Sequence, residues 1–317
     1  MQRKKLGDEM RHAKKKSRKK FLWIIGIAVI IICFFLWKND HGPNGMPSNY
    51  HADQVNLNVK AAVAIDAKNE NVIYAKNANQ SLPIASMTKL LTAYLTLKAI
   101  KEKKISWDTT VSPTQEIINL SSNPDYAGVP LSLGQKYTVR ELYDAALIKS
   151  ANNAARMLAI AVSGSETNFL NQMRQQANKW KLHNVKLVTV DGLPEKNKNF
   201  LGMTTTIENK MSANDMAIIA RKLVTDYPEV LSTTKVAKSD FRNTLMTNSN
   251  KMLSGLSDYD PNYPVDGLKT GTTDGAGACF TCTMDKNNKR VITVILGAQN
   301  DNERFSETKK LLNYSFN

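Results

Sequence analysis

The sequence predicts an α/β fold in which an antiparallel sheet is flanked by N- and C-terminal helices and an all-helical lobe is inserted between the strands. Strand-like segments occur early, at residues 60–76, and late, at residues 265–296, whereas the residues between them show mostly helical spacing of apolar side chains. Both ends of the chain must therefore complete one sheet. An apolar run near the N-terminus predicts one transmembrane helix before this fold.

The N-terminal region differs in composition from the rest of the chain. Residues 1–20 are basic, residues 21–37 are an uncharged apolar run, and residues 38–52 read as a linker. A helix over the run would span about 25 Å, at the short end of what crosses a bilayer. The basic segment predicts a cytoplasmic N-terminus and an anchored domain, residues 53–317, outside the cell membrane. A cleaved signal peptide is the alternative, but no small-x-small cleavage site follows the run.

The formal charge of +15 does not indicate nucleic-acid binding. Residues 1–20 alone supply +8, and this tail adjoins the apolar run. The mildly basic remainder suits work near an anionic polymer or a membrane surface. We therefore expect no nucleic-acid partner, and we expect the lipid bilayer to be the partner of residues 21–37.

The folded part is predicted to begin with a hairpin. Residues 60–66 and 71–76 read as strands across a polar turn, and apolar spacing then predicts a helix over residues 86–101. Thr138 opens a second apolar helix, ending near Lys149, with a capping-box pattern. The later predicted elements are helices at 154–161, 169–180 and 302–316, a further helix that follows residues 212–215 and ends at Val224, an irregular segment at 183–210, and strands at 265–271, 277–284 and 290–296.

Cysteine and histidine usage disfavours several chemistries. Cys33 lies in the apolar run, and Cys279 and Cys282 lie three apart on a predicted strand, where they point to opposite faces and cannot readily pair. The folded part has one histidine, His183, with no nucleophile-elbow sequence beside it, which disfavours a Ser-His-Asp hydrolase. No His or Cys spacing is typical of a metal site, so we expect no metal and no cofactor.

Ser86 and Lys89 are the first candidate catalytic pair. Three residues apart on a helix, they face the same side, so an amine can take the proton from a hydroxyl without any histidine. The alternative for Ser86 is a plain helix cap. The Ser-x-x-Lys spacing is weak by itself, because it also occurs at Ser17, Ser232 and Ser306.

Two further motifs follow in order. Lys-Thr-Gly occurs once, at Lys269, and Ser-x-Asn occurs between the other two motifs at Ser121, Ser150 and Ser212. Ser212 is also typical of a capping box and Ser121 of a turn, although spacing alone does not exclude Ser212. The ordered set Ser-x-x-Lys, Ser-x-Asn, Lys-Thr-Gly is the signature of penicillin-recognising serine enzymes.

The residues flanking these motifs sharpen the comparison. Residues 82–90, 147–155 and 265–273 resemble the corresponding segments of the D-alanyl-D-alanine carboxypeptidases, which are low-molecular-mass penicillin-binding proteins. The resemblance runs from about residue 53 to the C-terminus. It implies a β-lactamase/transpeptidase-like fold on the cell-wall side of the membrane. It also implies removal of the terminal D-Ala from peptidoglycan stem peptides through an acyl-enzyme, with inhibition by β-lactam antibiotics.

The resemblance also implies roles for the first two motifs. Ser86 would be the nucleophile and Lys89 its base, with a pKa lowered by burial and by a second cation nearby. The family flanks select Ser150 over Ser212. Ser150 would relay a proton between Lys89 and the leaving group, and Asn152 would bind the substrate amide.

The third motif is expected to bind substrate. Lys269, Thr270 and Thr272 would attract the free carboxylate of the D-Ala terminus or of a β-lactam. The tripeptide fits an edge strand, with which an extended peptide can pair. Gly271 allows close approach of backbone to ligand. The backbone N–H groups of Ser86 and Thr272 would form the oxyanion hole.

Three functions other than carboxypeptidase activity are compatible with the same β-lactamase/transpeptidase-like fold. A β-lactamase would need a glutamate for deacylation, and the segment beginning at Glu166 superficially resembles that motif. The segment is one residue too long, however, and it starts 14 residues after Asn152 on a predicted helix. A DD-transpeptidase would pass the acyl group to an amine instead of water. A non-catalytic cell-wall-binding homologue would not need the retained Ser86 and Lys89.

Overall fold

The computed structural model describes residues 45–183, 185–198 and 204–317, together with residues 23, 25–27, 29 and 30. The chain divides into two compact units, Met1–Gly45 and Met46–Asn317. The six described residues of the apolar run are helical. Among the residues that the structure describes, no helix has the length and apolar character needed to cross a membrane. Most of the transmembrane helix predicted at residues 21–37 lies outside the described residues, as does the basic tail, 1–20.

One five-stranded antiparallel sheet forms the centre of the second unit. Its strands are β1 (Ala61–Asp66), β2 (Val72–Lys76), β3 (Val265–Thr273), β4 (Gly277–Lys286) and β5 (Lys289–Ala298). The spatial order is β3-β4-β5-β1-β2, and every neighbouring pair is antiparallel. Early and late strands therefore complete one sheet, which confirms the prediction, and β3 lies at an edge.

Helices cover both faces of the sheet. They are α1 (Lys89–Lys101), α2 (Gln115–Ser121), α3 (Val139–Asp144), α4 (Asn152–Ser163), α5 (Glu166–Lys179), α6 (Ala213–Asp226), α7 (Val230–Thr234) and α8 (Asp301–Phe316). Helix α6 packs on β1 and β5, next to the helical region formed by α1 to α5. Helix α8 packs on β4 and β5 from the opposite face.

The two apolar faces of the sheet explain the composition of its strands. Along β1, Ala61 and Val63 belong to the core shared with the helical region, whereas Ala62 belongs to the core beneath α8. Successive strand residues point to opposite faces, so a strand covered on both sides is continuously apolar. Cys279 and Cys282 are buried and unpaired, one in each core, as the sequence predicts.

Capping boxes formed by polar side chains stabilise the starts of two helices. Thr138 accepts a hydrogen bond from the Glu141 backbone N–H, and the Glu141 carboxylate accepts one from the Thr138 backbone N–H, so the predicted capping box is confirmed. Ser212 and Asp215 form the same arrangement at the start of α6. The Ser212 hydroxyl is therefore engaged in capping.

Three predicted elements differ from those observed. Instead of one helix from Ser86, a short 3-10 turn, Ala85–Thr88, precedes α1. Helix α3 continues as a π-helical turn, Ala145–Lys149. The segment predicted to be irregular carries a hairpin, Glu195–Lys198 with Thr204–Ile207. The two paired segments lack the alternation of apolar and polar side chains from which strands are predicted, so this hairpin could not be predicted from the sequence. Further short ladders join Leu82–Pro83 to Lys210–Met211, Thr110–Val111 to Tyr137–Thr138, and Lys238–Phe241 to Thr244–Thr247.

Candidate active site

The 3-10 turn that carries Ser86 lies against the edge strand β3. Ala85, at the start of the turn, has a φ of 48°, in the left-handed region. A Cβ atom on Gly271 would lie 2.8 Å from the Ile84 carbonyl oxygen and 3.0 Å from the Ser86 backbone nitrogen. Glycine is therefore needed for β3 to approach the Ser86 backbone this closely.

Lys89 occupies the first position of α1 and is almost completely buried, with 1% of its surface exposed. Its Nζ donates to three oxygen acceptors: Ser86 Oγ at 2.8 Å, Asn152 Oδ1 at 2.7 Å and the Asp191 carbonyl oxygen at 2.6 Å. Three acceptors match the three protons of an ammonium group. The Lys89 nitrogen is thus held at hydrogen-bonding distance from the Ser86 hydroxyl.

Burial lowers the pKa of Lys89 to about 8. Two charges modify this effect: the Asp191 carboxylate raises the pKa, and the Arg156 guanidinium lowers it. Arg156 is thus a second cation of the kind expected from the sequence. A neutral amine becomes accessible near neutral pH, and a neutral amine can accept the Ser86 proton.

The Ser-x-Asn motif joins the end of the π-helical turn to α4. Asn152 is buried and uses its Oδ1 atom for Lys89, which leaves its amide NH₂ without a partner among the described residues. Ser150 has a left-handed backbone, with φ 63° and ψ 26°. Its hydroxyl has no hydrogen-bond partner within the described part of the chain. Both groups are thus available to a ligand.

The Lys-Thr-Gly tripeptide lies on edge strand β3, as expected. Lys269 is buried, and its Nζ donates to the Thr270 carbonyl oxygen at 2.9 Å. Burial, together with the charges of Lys89 and Arg304, holds the pKa of Lys269 well below its usual value. An anion arriving here would favour the charged form of Lys269, because opposite charges stabilise each other.

Neighbouring groups complete this side of the site. The Thr270 hydroxyl donates to Ser249 Oγ at 2.6 Å, and Thr272 is exposed on the strand. Arg304, from α8, donates through Nη1 to the carbonyl oxygens of Gly271 and Cys279, each at 3.1 Å. Arg304 therefore links the backbones of β3 and β4 through these two hydrogen bonds. Neither Ser249 nor Arg304 belongs to a motif that sequence reasoning singled out.

The hydroxyl groups of the competing motif serines are engaged in other contacts. Ser232 donates to the Glu229 carbonyl oxygen at 2.6 Å, and Ser306 donates to the Glu303 carbonyl oxygen at 3.1 Å. Ser121 ends α2, where the sequence predicted a turn in a loop, and donates to the Ile117 carbonyl oxygen at 2.8 Å. These donated bonds are typical of helix ends and surfaces. Ser121 also accepts from Asn153 Nδ2 at 2.6 Å, so it contacts the residue that follows Asn152.

Glu166 begins α5 and lies 3.7 Å from Arg156 Nε. Burial, partly offset by Arg156, raises the pKa of its carboxyl group. Arg156 also pairs with the fully buried Asp191, at 2.8 Å. Neither Arg156 nor Asp191 belongs to a motif of the sequence, and Asp191 lies in the segment 183–210 that was predicted to be irregular. No residue-type pattern could reveal Asp191, because its contact with Lys89 uses a backbone oxygen.

Comparison with known proteins agrees with this geometry. The family model for D-alanyl-D-alanine carboxypeptidases matches residues 48–300. The chain belongs to this family. It is 31% identical over 277 residues to the D-alanyl-D-alanine carboxypeptidase DacC of Escherichia coli (strain K12), covering 85% of this chain and 65% of that protein. It is 30% identical over 263 residues to DacF of Bacillus subtilis (strain 168), covering 81% and 62%. The chain thus spans a little under two thirds of the length of each of these relatives.

Solved structures of the family share the fold. A penicillin-binding protein of Streptococcus pneumoniae (PBP3), described as a peptidoglycan synthesis regulatory factor, is 38% identical, with a TM-score of 0.76 over 83% of this chain and 72% of that chain. Penicillin-binding protein D2 of Listeria monocytogenes, solved with ampicillin bound, is 30% identical, with a TM-score of 0.69 over 83% and 99%. The α/β penicillin-binding protein fold is therefore confirmed.

The close approach of β3 to Ser86 gives a first prediction for this carboxypeptidase-family domain. Gly271→Ala should displace the 3-10 turn, because the added Cβ meets the backbone of Ile84 and Ser86. We expect the rate of Ser86 labelling by a fluorescent penicillin to fall at least about a hundredfold, a loss of about 3 kcal/mol of transition-state stabilisation.

Gly128→Ala is the matched control, since its Cβ would meet atoms no closer than 3.4 Å, an ordinary contact. Both variants are checked for folding by thermal unfolding. Normal labelling of a folded Gly271→Ala variant would contradict the proposed role of the close approach.

Proposed function

We propose that the protein is a serine-type D-Ala-D-Ala carboxypeptidase that removes the terminal D-Ala from peptidoglycan stem peptides through an acyl-enzyme on Ser86. The observation that carries this proposal is the hydrogen bond of 2.8 Å between the buried Lys89 Nζ and Ser86 Oγ. Family membership and the lowered pKa of Lys89 support it. The β-lactam-bound relative supports inhibition of the same serine by β-lactams.

Acylation begins with neutral Lys89. The amine takes the proton from the Ser86 hydroxyl, and the oxygen attacks the carbonyl carbon of the penultimate D-Ala. The carbonyl oxygen becomes negatively charged and is stabilised by the backbone N–H groups of Ser86 and Thr272. Collapse of the tetrahedral intermediate breaks the peptide bond. Ser150 passes the proton to the departing amine, and water later hydrolyses the ester.

Substrate orientation follows from the edge strand. An extended peptide pairs with β3, and its terminal carboxylate lies against Lys269, Thr270 and Thr272. Asn152 donates its free amide NH₂ to the substrate backbone. The carboxylate of the ligand would favour the charged form of Lys269, so binding at this subsite selects peptides with a free C-terminus.

The β-lactamase alternative receives less support. It requires a carboxylate that activates the deacylating water, whereas Glu166 lies at the start of α5 and interacts with Arg156. Without such a group, the penicilloyl ester should persist. A DD-transpeptidase would use the same acyl-enzyme, and it differs only in passing the acyl group to an amine.

Peptide turnover tests the proposal. The full-length protein is incubated with a pentapeptide ending in D-Ala-D-Ala, and free D-alanine and the masses of the products are measured. We expect D-alanine and the hydrolysed tetrapeptide, whereas a product joined to an added amine would indicate transpeptidation.

Ser86→Ala should abolish both D-alanine release and penicillin labelling while the protein remains folded. Ser232→Ala, which alters another Ser-x-x-Lys serine, should change neither. Release that persists in Ser86→Ala, or an adduct that maps to Ser232, would reject Ser86 as the nucleophile.

We further propose that residues 21–37 anchor the protein in the cell membrane, with residues 1–20 in the cytoplasm and residues 53–317 on the cell-wall side. The uncharged apolar run and the basic residues before it support this arrangement. Protease added to intact cells should degrade the domain and spare the basic tail. A mature N-terminus found after residue 38 would show cleavage instead of anchoring.

A further inference from the structure

One of the three acceptors of Lys89 belongs to no family motif. The Asp191 carbonyl oxygen accepts from Lys89 Nζ at 2.6 Å, the shortest of the three contacts. The Asp191 side chain is completely buried. Its Oδ2 atom accepts from Arg156 Nε at 2.8 Å, and its Oδ1 atom accepts from the Leu193 backbone N–H at 2.9 Å. The carboxylate therefore fixes the backbone that presents this carbonyl group.

The backbone around Asp191 also supports the Ser86 turn. A Cβ atom on Gly192, which has a φ of 89°, would lie 2.1 Å from the Ala85 carbonyl oxygen. One residue earlier, the Val190 carbonyl oxygen accepts from Thr92 of α1 at 2.7 Å. The segment thus contacts both the turn that carries Ser86 and the helix that carries Lys89.

Within the described residues, Arg156 is the only side chain that forms an ion pair with the Asp191 carboxylate at less than 4 Å. A buried carboxylate without such a partner is strongly disfavoured. Arg156 projects from α4, the helix that Asn152 begins, so it links the second motif to the segment at Asp191. Arg156 also lies near two further carboxylates: its Nη1 atom is 3.7 Å from Glu116 Oε1, and its Nε atom is 3.7 Å from Glu166 Oε2.

We propose that Arg156 and Asp191 act as a positioning pair, whose ion pair holds the Asp191 carbonyl oxygen against Lys89 and so keeps the Lys89 nitrogen within proton-transfer distance of Ser86. The proposal rests on the acylation chemistry proposed above. Neither residue touches the substrate. Both act through Lys89, and their formal charges are opposite.

The two partners have opposite effects on Lys89. Asp191 raises the pKa of Lys89, and Arg156 lowers it. Lys269 on β3 also interacts electrostatically with Lys89, and Arg304 of α8 interacts with Lys269. Glu116 and Glu166 face Arg156. Changing Arg156 or Asp191 leaves Lys269 and Arg304 in place, so each substitution isolates one member of the pair.

The sign of each effect follows from the role of Lys89 as a base. Acylation needs the neutral amine, so its rate rises as the pH passes through the pKa of Lys89, about 8. Asp191→Asn removes the anion and leaves Arg156, which lowers the pKa further. Arg156→Gln removes one cation and leaves the Asp191 carboxylate with Lys89 as its remaining cationic partner, which raises the pKa of Lys89. The midpoint of the rate profile should move in opposite directions.

The test measures the rate constant of covalent labelling by a fluorescent penicillin from about pH 6 to about pH 10 on the full-length protein. For Asp191→Asn we expect the midpoint to move down by about one pH unit, and for Arg156→Gln to move up by a similar amount. Arg156→Lys, which keeps the charge, should restore the midpoint close to that of the unchanged protein.

Arg174→Gln is the matched control. Arg174 donates to the Leu187 carbonyl oxygen at 2.8 Å, near the start of the same stretch of backbone, and is not among the charges that act on Lys89. We expect it to leave the midpoint unchanged. Thermal unfolding identifies any variant that fails to fold. If either Asp191→Asn or Arg156→Gln does not fold, the direction in which the remaining variant moves the midpoint tests the proposal.

Opposite shifts of the midpoint, together with a lower limiting rate at high pH in both variants, would support the positioning pair. Equal slowing at every pH with no shift, shifts in one direction for both variants, or opposite shifts with an unchanged limiting rate at high pH would overturn it. Failure of the proposed function has a different signature. In that case the unchanged protein would show no labelling, or labelling at a residue other than Ser86, at any pH.

Discussion

The burial of the Lys89 side chain is the constraint on which the rest of the site depends. A lysine removed from water loses much of its preference for the charged form, which is why its pKa falls to about 8. The same burial requires that every proton on the nitrogen has an acceptor, and Ser86, Asn152 and Asp191 supply three. The three hydrogen bonds of the Lys89 nitrogen therefore connect α1 with the Ser86 turn, with the start of α4 and with the backbone at Asp191.

Much of this arrangement could be predicted from the sequence, because the signals are local. The apolar runs of β1 and β5, the capping box at Thr138 and the spacing of Ser86 and Lys89 each depend on residues near one another in the chain. The unique Lys-Thr-Gly tripeptide at Lys269 then restricted the choice among four Ser-x-x-Lys matches. The edge position of β3 agrees with the expectation that the Lys-Thr-Gly tripeptide lies on an edge strand, with which an extended peptide can pair.

The remaining features depend on distant contacts that leave no residue-type pattern. Asp191 reaches Lys89 through a backbone carbonyl oxygen, which every residue possesses. Arg156 meets Asp191 only after α4 and the Asp191 segment pack together. The 3-10 turn at Ser86 replaces a regular helix start where Gly271 of β3 comes close to its backbone. Sequence periodicity describes each element by itself and carries no information on such approaches.

The most direct test of the account is a titration of Lys89 itself. In protein labelled with ¹³C at the lysine ε-carbon, the Lys89 signal can be assigned by comparison with Lys89→Arg and followed with pH. We predict a midpoint near 8, because burial outweighs the charge of Asp191. A midpoint close to that of an exposed lysine, about 10.4, would contradict the claim that Lys89 is poised to accept the Ser86 proton.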